Sequence, residues 1–504
     1  MTARRAFPPI PLVIFVVGAA SLGVEIAAAR LLAPYFGAST VIWANTIAVV
    51  LVSLSAGYWL GGRLADRRPE MSGLCRVVLA AGGLLALVPF VARPFLDLAV
   101  GALDSISAGA FAGSLLAVLL LVALPVLLLG AASPYAVRLS VASVEESGRV
   151  AGRLYAIGTV GSLTGVFLSA LLLVPLIGTQ RTFLVFAAAL ALTGALGLGR
   201  RWALAPVAVA ALLLAPPGGV KAASGSERVL QESETPYQYA RVLERADGER
   251  RLELNEGVAV HSVYRPGRWL TGGYWDDFLV LPAAADGRPP RRLAILGNAA
   301  GTTARAYGHY LPATAIDAVE IDGELTRIGR RWFDLRAPRL RTHTADARAF
   351  LRAARGRFDA IFVDAYRQPY IPFHLATREF FRLCRERLAP GGSIVVNIGE
   401  PRGTDRLERV VAATLRAELG TVLRDPVDAT NTLLLAGPGP ASAARLTGAV
   451  SRFPRALRPL AFAVAARLGP ALPGGAVYTD DVAPVEWLTD TSIVRYAAEG
   501  RARR

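Results

Sequence analysis

The sequence predicts a multi-pass α-helical membrane bundle fused to a doubly wound α/β domain that begins with a small β unit. Three observations carry this reading: long apolar runs up to residue 217, charged and alternating sequence after Gly218, and strand-like and helical patterns in alternation from Arg292 onward. A chain of 504 residues that is 53% hydrophobic and 19% charged, with a mean hydropathy of +0.41, is too apolar for a wholly soluble protein and too long for one domain. The expected division is 1–217 for the bundle, 218–285 for a linker and small β domain, and 286–504 for the α/β domain.

A helix needs roughly 20 apolar residues to cross the hydrocarbon core. Runs of that kind occupy Ile10–Ala29, Val41–Leu60, a shorter Val77–Val91, Phe111–Leu129, Tyr155–Leu176 and Phe183–Leu198. A seventh run, Ala203–Ala215, ends at Pro216-Pro217 and is of a length at which a re-entrant or interfacial segment competes with a span. Arg4 and Arg5 lead into an apolar run that continues through Glu25 and Arg30 without a small-residue cleavage site, which argues against a cleaved signal peptide. Arginines gather after the second span (Arg63, Arg67, Arg68, Arg76), the fourth (Arg138, Arg149, Arg153) and the sixth (Arg200, Arg201). The positive-inside rule makes these loops and the N-terminus cytoplasmic. The loop with Arg93 also carries Asp97 and Asp104, and Arg181 stands alone in a short turn. If Ala203–Ala215 spans, the same rule sends the soluble half outside; if it is re-entrant, as its short length and Pro-Pro end favour, the soluble half stays in the cytoplasm, beneath an inner membrane.

Glu25 and Arg30 stand five residues apart inside the first span, too far for an ideal intrahelical pair, so each is expected to find its partner elsewhere. Gly57 and Gly61, and Gly158, Gly161 and Gly165, put small residues on helix faces and predict close helix packing rather than chemistry.

The net charge of +16 comes almost wholly from arginine, Lys221 being the only lysine. These arginines are scattered rather than clustered, which argues against nucleic acid as a partner. Cys75 and Cys384 form neither a metal-ligand spacing nor a disulfide framework.

In the soluble half, alternation from Arg241 to Tyr264 around Asp247-Gly248 reads as a small antiparallel unit. Strands are expected at Leu293–Leu296, Ile316–Ile321, Leu340–His343, Ala360–Val363, Ile394–Asn397 and Thr432–Leu435. The first ends in LGNAAG, where Gly297 and Gly301 allow a tight turn and a close backbone approach to a nucleotide. Glu320 follows about 20 residues later at the end of the second strand, where a carboxylate accepts hydrogen bonds from ribose hydroxyls. Asp346-Ala347 follows the third strand, in reach of an adenine amino group, and Asp364 ends the fourth. Three acidic residues at successive strand ends are expected to converge on one crevice, with helix N-capping as the bland alternative for Asp346 and Asp364.

This order of features resembles the spermidine synthase (polyamine aminopropyltransferase) family, and the whole chain resembles its membrane-fused bacterial members. The resemblance rests on EIAAARLLAPYFG and GGRLADR in the bundle, Tyr237-Gln238 and LNEG in the β unit, and Gly297, Glu320, Asp346-Ala347 and Asp364 in the Rossmann-like, methyltransferase-type sheet. It implies that Gln238 approaches the donor nucleoside, Glu320 holds its ribose, Asp346 its adenine, and Asp364 deprotonates the attacking amine. The implied co-substrate is decarboxylated S-adenosylmethionine or S-adenosylmethionine, with no permanently bound cofactor and no metal.

The departures from the family pattern fall on the amine sites. Ala300 stands where the Gly-rich turn carries an amine-binding Asp, and Arg367 stands where a second Asp follows the base. His261 replaces a Gln, and Tyr-His-Glu becomes Tyr274-Trp275-Asp276. His261, Tyr274, Asp276 and Arg367 are the expected acceptor-site residues, and an Arg in place of Asp suits an amino-acid-like or other carboxylate- or phosphate-bearing acceptor, or a donor that keeps its carboxylate. Near the C-terminus, YTDDVAPVEW offers Asp480, Asp481 and Glu486, with Tyr478 and Trp487, either as an acidic loop over the site or as turn formers. The expected function is membrane-bound aminopropyl-type transfer to an amine. The alternatives are a methyltransferase, which needs the same nucleoside residues, and a transporter with a nucleotide-sensing domain. A homo-oligomer is compatible with the sequence.

Overall fold

The computed structural model describes residues 7–36, 40–103, 109–214, 227–255, 259–366, 371–400, 403–485 and 488. Arg4, Arg5, Asp104, Ala215–Pro217, Gly218, Lys221, Glu256-Gly257 of the LNEG turn, Arg367, Glu486 and Trp487 lie outside the described residues. The chain divides into two compact units, Met1–Ala222 with Ser233–Tyr239, and Ala223–Glu232 with Ala240–Arg504.

The first unit is helical: α1 (Ile10–Phe36), α2 (Thr40–Arg67), α3 (Met71–Leu103), α4 (Gly109–Val118), α5 (Leu124–Ser140), α6 (Ser147–Phe167), α7 (Val174–Leu198) and α8 (Leu204–Leu212). Short π-helical segments, Leu119–Ala123 and Leu168–Leu173, carry α4 into α5 and α6 into α7. Among the described residues, five helical runs are long and apolar enough to cross a membrane, where six separate spans were expected. The fifth and sixth expected spans share the run Ser147–Leu198, broken at Gly178 (φ 81°, ψ 167°), a conformation that a residue with a Cβ avoids. The third is not short, because α3 extends to both sides of the apolar stretch and continues past Pro89 and Pro94. At nine residues α8 is roughly 14 Å long, under half the thickness of a hydrocarbon core, and does not reach across one by itself.

Small residues set the helix spacing. A Cβ on Gly61 would sit 2.3 Å from the Ala131 carbonyl oxygen of α5, and one on Gly165 would sit 2.0 Å from that of Ala19 in α1. Backbone is therefore packed on backbone, as the glycine spacing predicts. Arg30 finds its partners in the turn assigned to this unit, where its guanidinium donates to the carbonyls of Thr235, at 3.0 Å, and Pro236.

A small sheet, ordered β1-β2-β3-β4, is built from β1 (Arg228–Glu234), β2 (Tyr239–Glu244), β3 (Arg250–Leu254) and β4 (Val260–Tyr264), and all of it except Ser233, Glu234 and Tyr239 belongs to the second unit. The large sheet contains β5 (Arg292–Leu296), β6 (Ala315–Glu320), β7 (Leu340–Thr344), β8 (Phe358–Val363), β9 (Leu388–Gly399), β10 (Val422–Pro426), β11 (Asn431–Ala436) and β12 (Gly469–Pro470), in the order β12-β10-β11-β9-β8-β5-β6-β7. Strands β5 to β9 are parallel, as alternating strands and helices require. The expected strand at Thr432–Leu435 is β11, and it runs antiparallel to both β9 and the unanticipated β10. The connection between β10 and β11 is too short for a crossover helix, so it can only close a hairpin.

Helices α9 (Tyr274–Asp277), α10 (Ala283–Asp286), α11 (Thr302–Tyr310), α12 (Gly323–Trp332), α13 (Ala347–Ala353), α14 (Arg378–Glu386), α15 (Arg406–Leu419), α16 (Ala443–Ala449) and α17 (Arg458–Arg467) complete the unit. Neighbouring strand residues point to opposite faces, so Phe362, Val395 and Leu433 pack with Phe278 and Tyr307, whereas Val363, Val396 and Leu434 pack with Phe380 and Val411. Burial on both faces leaves the carboxyl ends of the parallel strands as the place where loops and polar side chains can meet.

Candidate active site

The turn after β5 is shaped by two glycines. A Cβ at Gly297 (φ +88°) would lie 2.4 Å from the Asp364 carbonyl oxygen, so only glycine allows β5 and β8 to end side by side here. Gly301 (φ +93°) starts α11 against Leu335. The turn is pinned from the neighbouring strand, since Glu320 accepts from the Ala299 N–H at 2.8 Å and from the Asp322 N–H at 3.1 Å. Burial pushes the Glu320 carboxyl up to about 7 against those hydrogen bonds.

At the end of β8, Asp364 is held by two neutral donors. The Tyr274 hydroxyl donates to it at 3.1 Å and the Asn397 amide at 2.8 Å. Asn397 sits at the carboxyl end of β9, and its own Oδ1 accepts from Asn431 of β11 at 3.0 Å, which fixes the amide orientation. Burial, with a smaller contribution from the Glu320 charge, pushes the Asp364 carboxyl up to about 7, while Asn397 and Tyr274 pull it the other way. Burial and the Asp364 charge hold Tyr274 well above the ordinary phenol range, so it remains a hydrogen-bond donor. A carboxylate near 7 with fixed neutral donors is suited to take up a proton near neutral pH.

The small sheet supplies the opposite wall. The register between β3 and β4 pairs Leu252 with Ser262 and Glu253 with Val260, leaving His261 as the extra residue of a β-bulge. Such a bulge re-aims a side chain, and His261 lines the cleft with Tyr274, Trp275, Gly297, Asn298, Thr303 and Asp364. Ser262 accepts from the Ala300 N–H at 3.0 Å and Thr302 from the Val263 N–H at 2.9 Å, tying this wall to the glycine turn.

Of the residues expected from the sequence, the cleft brings together His261, Tyr274, Gly297 and Asp364. The three strand-end acids are engaged differently. Asp364 lines the cleft, Glu320 is turned to the backbone of its own strand end and the glycine turn, and Asp346 caps α13. One Asp346 oxygen accepts from the Arg348 and Ala349 N–H groups, and the other lies 3.2 Å from His374. Ala347 is buried in the first turn of that helix. Asp364 caps no helix, since the residue after β8 continues as loop. Asp276 does not face an acceptor: both oxygens are taken by the Thr271 and Gly272 N–H groups, which hold the loop before α9. Gln238 lies in the turn that belongs to the helical unit, with its N–H on Thr235 Oγ1 at 3.0 Å. The acidic loop is also reassigned, because Asp480 pairs with Arg348 at 2.6 Å and Thr377 at 2.7 Å, and Asp481 is exposed.

Two residues escaped the sequence reading, Asn298 and Asn397. Both had a signal, a polar side chain ending an apolar run at the carboxyl end of a parallel strand.

No family model matches the chain. A probable polyamine aminopropyl transferase of Bifidobacterium longum is 36% identical over 209 residues, covering 41% of this chain and 46% of that protein. The chain thus matches under half the length of that relative. A polyamine aminopropyltransferase of Mycobacterium tuberculosis is 28% identical over 436 residues, with 79% of each chain covered, a span that necessarily extends into the helical unit. A crystal structure of a probable spermidine synthase from Corynebacterium glutamicum aligns with a TM-score of 0.38 at 21% identity, over 49% of this chain and 96% of that one.

Proposed function

We propose that this chain, which belongs to a spermidine synthase-like family, transfers an aminopropyl-type group from an adenosyl sulfonium donor to an amine acceptor, with Asp364 as the general base. The observation that carries this reading is the Asp364 carboxyl, raised to about 7 and held by Tyr274 and Asn397 beside the glycine turn. A protonated amine has no lone pair. Asp364 takes its proton, the nitrogen attacks the carbon beside the sulfonium, the C–N bond forms, and the C–S bond breaks with its electrons left on sulfur. The leaving group is neutral methylthioadenosine, and the proton ends on Asp364.

Glu320, at the end of β6, is the candidate for the donor ribose, and Asp346 with Ala347, at the end of β7, for its adenine. His261 and Tyr274 line the acceptor side, and Arg367 is assigned to an acceptor bearing a negative charge. The donor is decarboxylated S-adenosylmethionine or S-adenosylmethionine. The long apolar helices support insertion in the inner membrane, and the nine residues of α8 support a cytoplasmic soluble unit. A periplasm-active reporter fused after Arg504 should stay silent, and strong activity from it would reverse that assignment.

The deciding experiment incubates the detergent-purified chain with each donor and a panel of polyamines and amino acids, then identifies the nucleoside formed. Methylthioadenosine supports the proposal. S-adenosylhomocysteine would mean methyl transfer instead, and donor binding without turnover would favour a sensing domain.

A further inference from the structure

Asn298 is 6% exposed and borders the cleft, yet neither its Oδ1 nor its Nδ2 has a hydrogen-bond partner among the described residues. Its backbone is fully engaged, with the N–H on Val319 O and the carbonyl accepting from Gly301 N–H, so the turn itself does not need the side chain. A buried carboxamide with no partner is costly, and such a group at a cleft calls for a ligand that completes it.

The position of Asn298 selects which part of the ligand that is. The cleft it borders is that of Asp364, Tyr274 and His261, while Glu320 and Asp346 stand at the ends of β6 and β7, on the far side of β5. Ribose and adenine are assigned to that far side, which leaves the donor tail for Asn298. A carboxamide offers one acceptor oxygen and two N–H donors. An ammonium alone would satisfy only Oδ1, whereas an α-amino carboxylate satisfies both atoms. The neighbouring Ala300 is fully buried and brings no charge that would repel a carboxylate.

Resting on the function proposed above, we infer that Asn298 determines donor specificity, its Oδ1 accepting from the ammonium of the donor tail and its Nδ2 donating to the carboxylate. The chain therefore prefers S-adenosylmethionine to the decarboxylated donor and transfers a 3-amino-3-carboxypropyl group. The acceptor nitrogen forms its bond to the tail methylene on sulfur, the C–S bond breaks, methylthioadenosine leaves, and Asp364 takes the proton.

The test measures binding of S-adenosylmethionine and decarboxylated S-adenosylmethionine to the full-length protein in detergent by calorimetry, for the parent chain, Asn298→Asp and Asn298→Ala. The parent should bind S-adenosylmethionine about tenfold or more tightly, the effect of one buried group left unpaired by the other donor. Asn298→Asp should invert the preference, and Asn298→Ala should bring the ratio toward one. A parent without preference, or a ratio unchanged in either folded variant, overturns the inference while leaving aminopropyl-type transfer standing. No binding of either donor to the parent overturns both readings. S-adenosylhomocysteine as the product of S-adenosylmethionine overturns both as well.

Discussion

Asp364 and Glu320, at the carboxyl edge of the parallel sheet, keep different company from carboxylates elsewhere in the same unit. Asp317, inside β6, faces Arg292 at 3.2 Å, Arg341 at 3.0 Å and His343 at 2.9 Å. Glu418 in α15 receives Arg378, Arg382 and Arg385, and Glu249 receives Arg251 and Arg265. Burial pushes all three upward, but their cationic partners outweigh it and each carboxyl lies below its usual range. Among the described residues, Asp364 and Glu320 meet only neutral donors, Tyr274, Asn397 and backbone N–H groups, and burial prevails. With 55 basic residues to 39 acidic ones, cations are in surplus, so the difference lies in where the fold places them. Asp277 stands between the two cases: burial and the charge of Asp425 hold it above its usual range although both carboxylates share Arg467.

The strongest way to break this comparison is Asp364→Asn, which preserves shape and removes the proposed proton acceptor. Turnover should fall by about a hundredfold or more, measured as methylthioadenosine released. The same variant should gain stability. Because the folded carboxyl lies near 7, above its ordinary value of 3.8, ionisation weakens the fold as pH rises from about 4 through 7. The gap in melting temperature between Asp364→Asn and the parent should therefore widen from pH 5 to pH 8, and a constant gap would contradict the raised value.

Glu320→Ala should weaken donor binding by about 1.5 to 3 kcal/mol, roughly ten- to a hundredfold in Kd by calorimetry, the range for hydrogen bonds to a charged group. Unchanged affinity in a folded variant would remove Glu320 from the donor site.

Asn397→Leu sharpens the contrast from the other side. Loss of its hydrogen bond should raise the Asp364 carboxyl by about one unit, since one unit corresponds to about 1.4 kcal/mol. The acidic limb of the kcat/KM profile, expected near 7 in the parent, should move to higher pH, with about fivefold loss at pH 7, approaching about tenfold below it, and recovery above it. A uniform loss at every pH would assign Asn397 to packing alone. The smallest effect is expected at an arginine-paired carboxylate: Asp317→Asn should cost about 1 to 2 kcal/mol of stability, because its arginines are partly solvated, and leave donor affinity as it was. That stability is present in the parent above about pH 4 and is lost as pH falls through the lowered Asp317 value, which acid unfolding of parent and variant would compare.

The sequence by itself determined the division into an apolar helical part and an α/β part, the parallel strands β5 to β8, and the places of Gly297, Glu320 and Asp364. These follow from local properties: run length, two-residue and helical periodicity, and the tight turn that glycine allows. The break at Gly178, the antiparallel β10–β11 edge, the bulge that turns His261 into the cleft, and the pairing of Asp364 with Tyr274 and Asn397 were decided only by the tertiary structure. Each depends on residues far apart in sequence meeting in one register, and periodicity cannot specify which strand lies next to which. Asp276 and Asp480 make the same point. Their positions suited a ligand, but backbone N–H groups and Arg348 lay nearer once the chain had folded, and a buried or half-buried carboxylate is completed by whichever donors the packing brings to it.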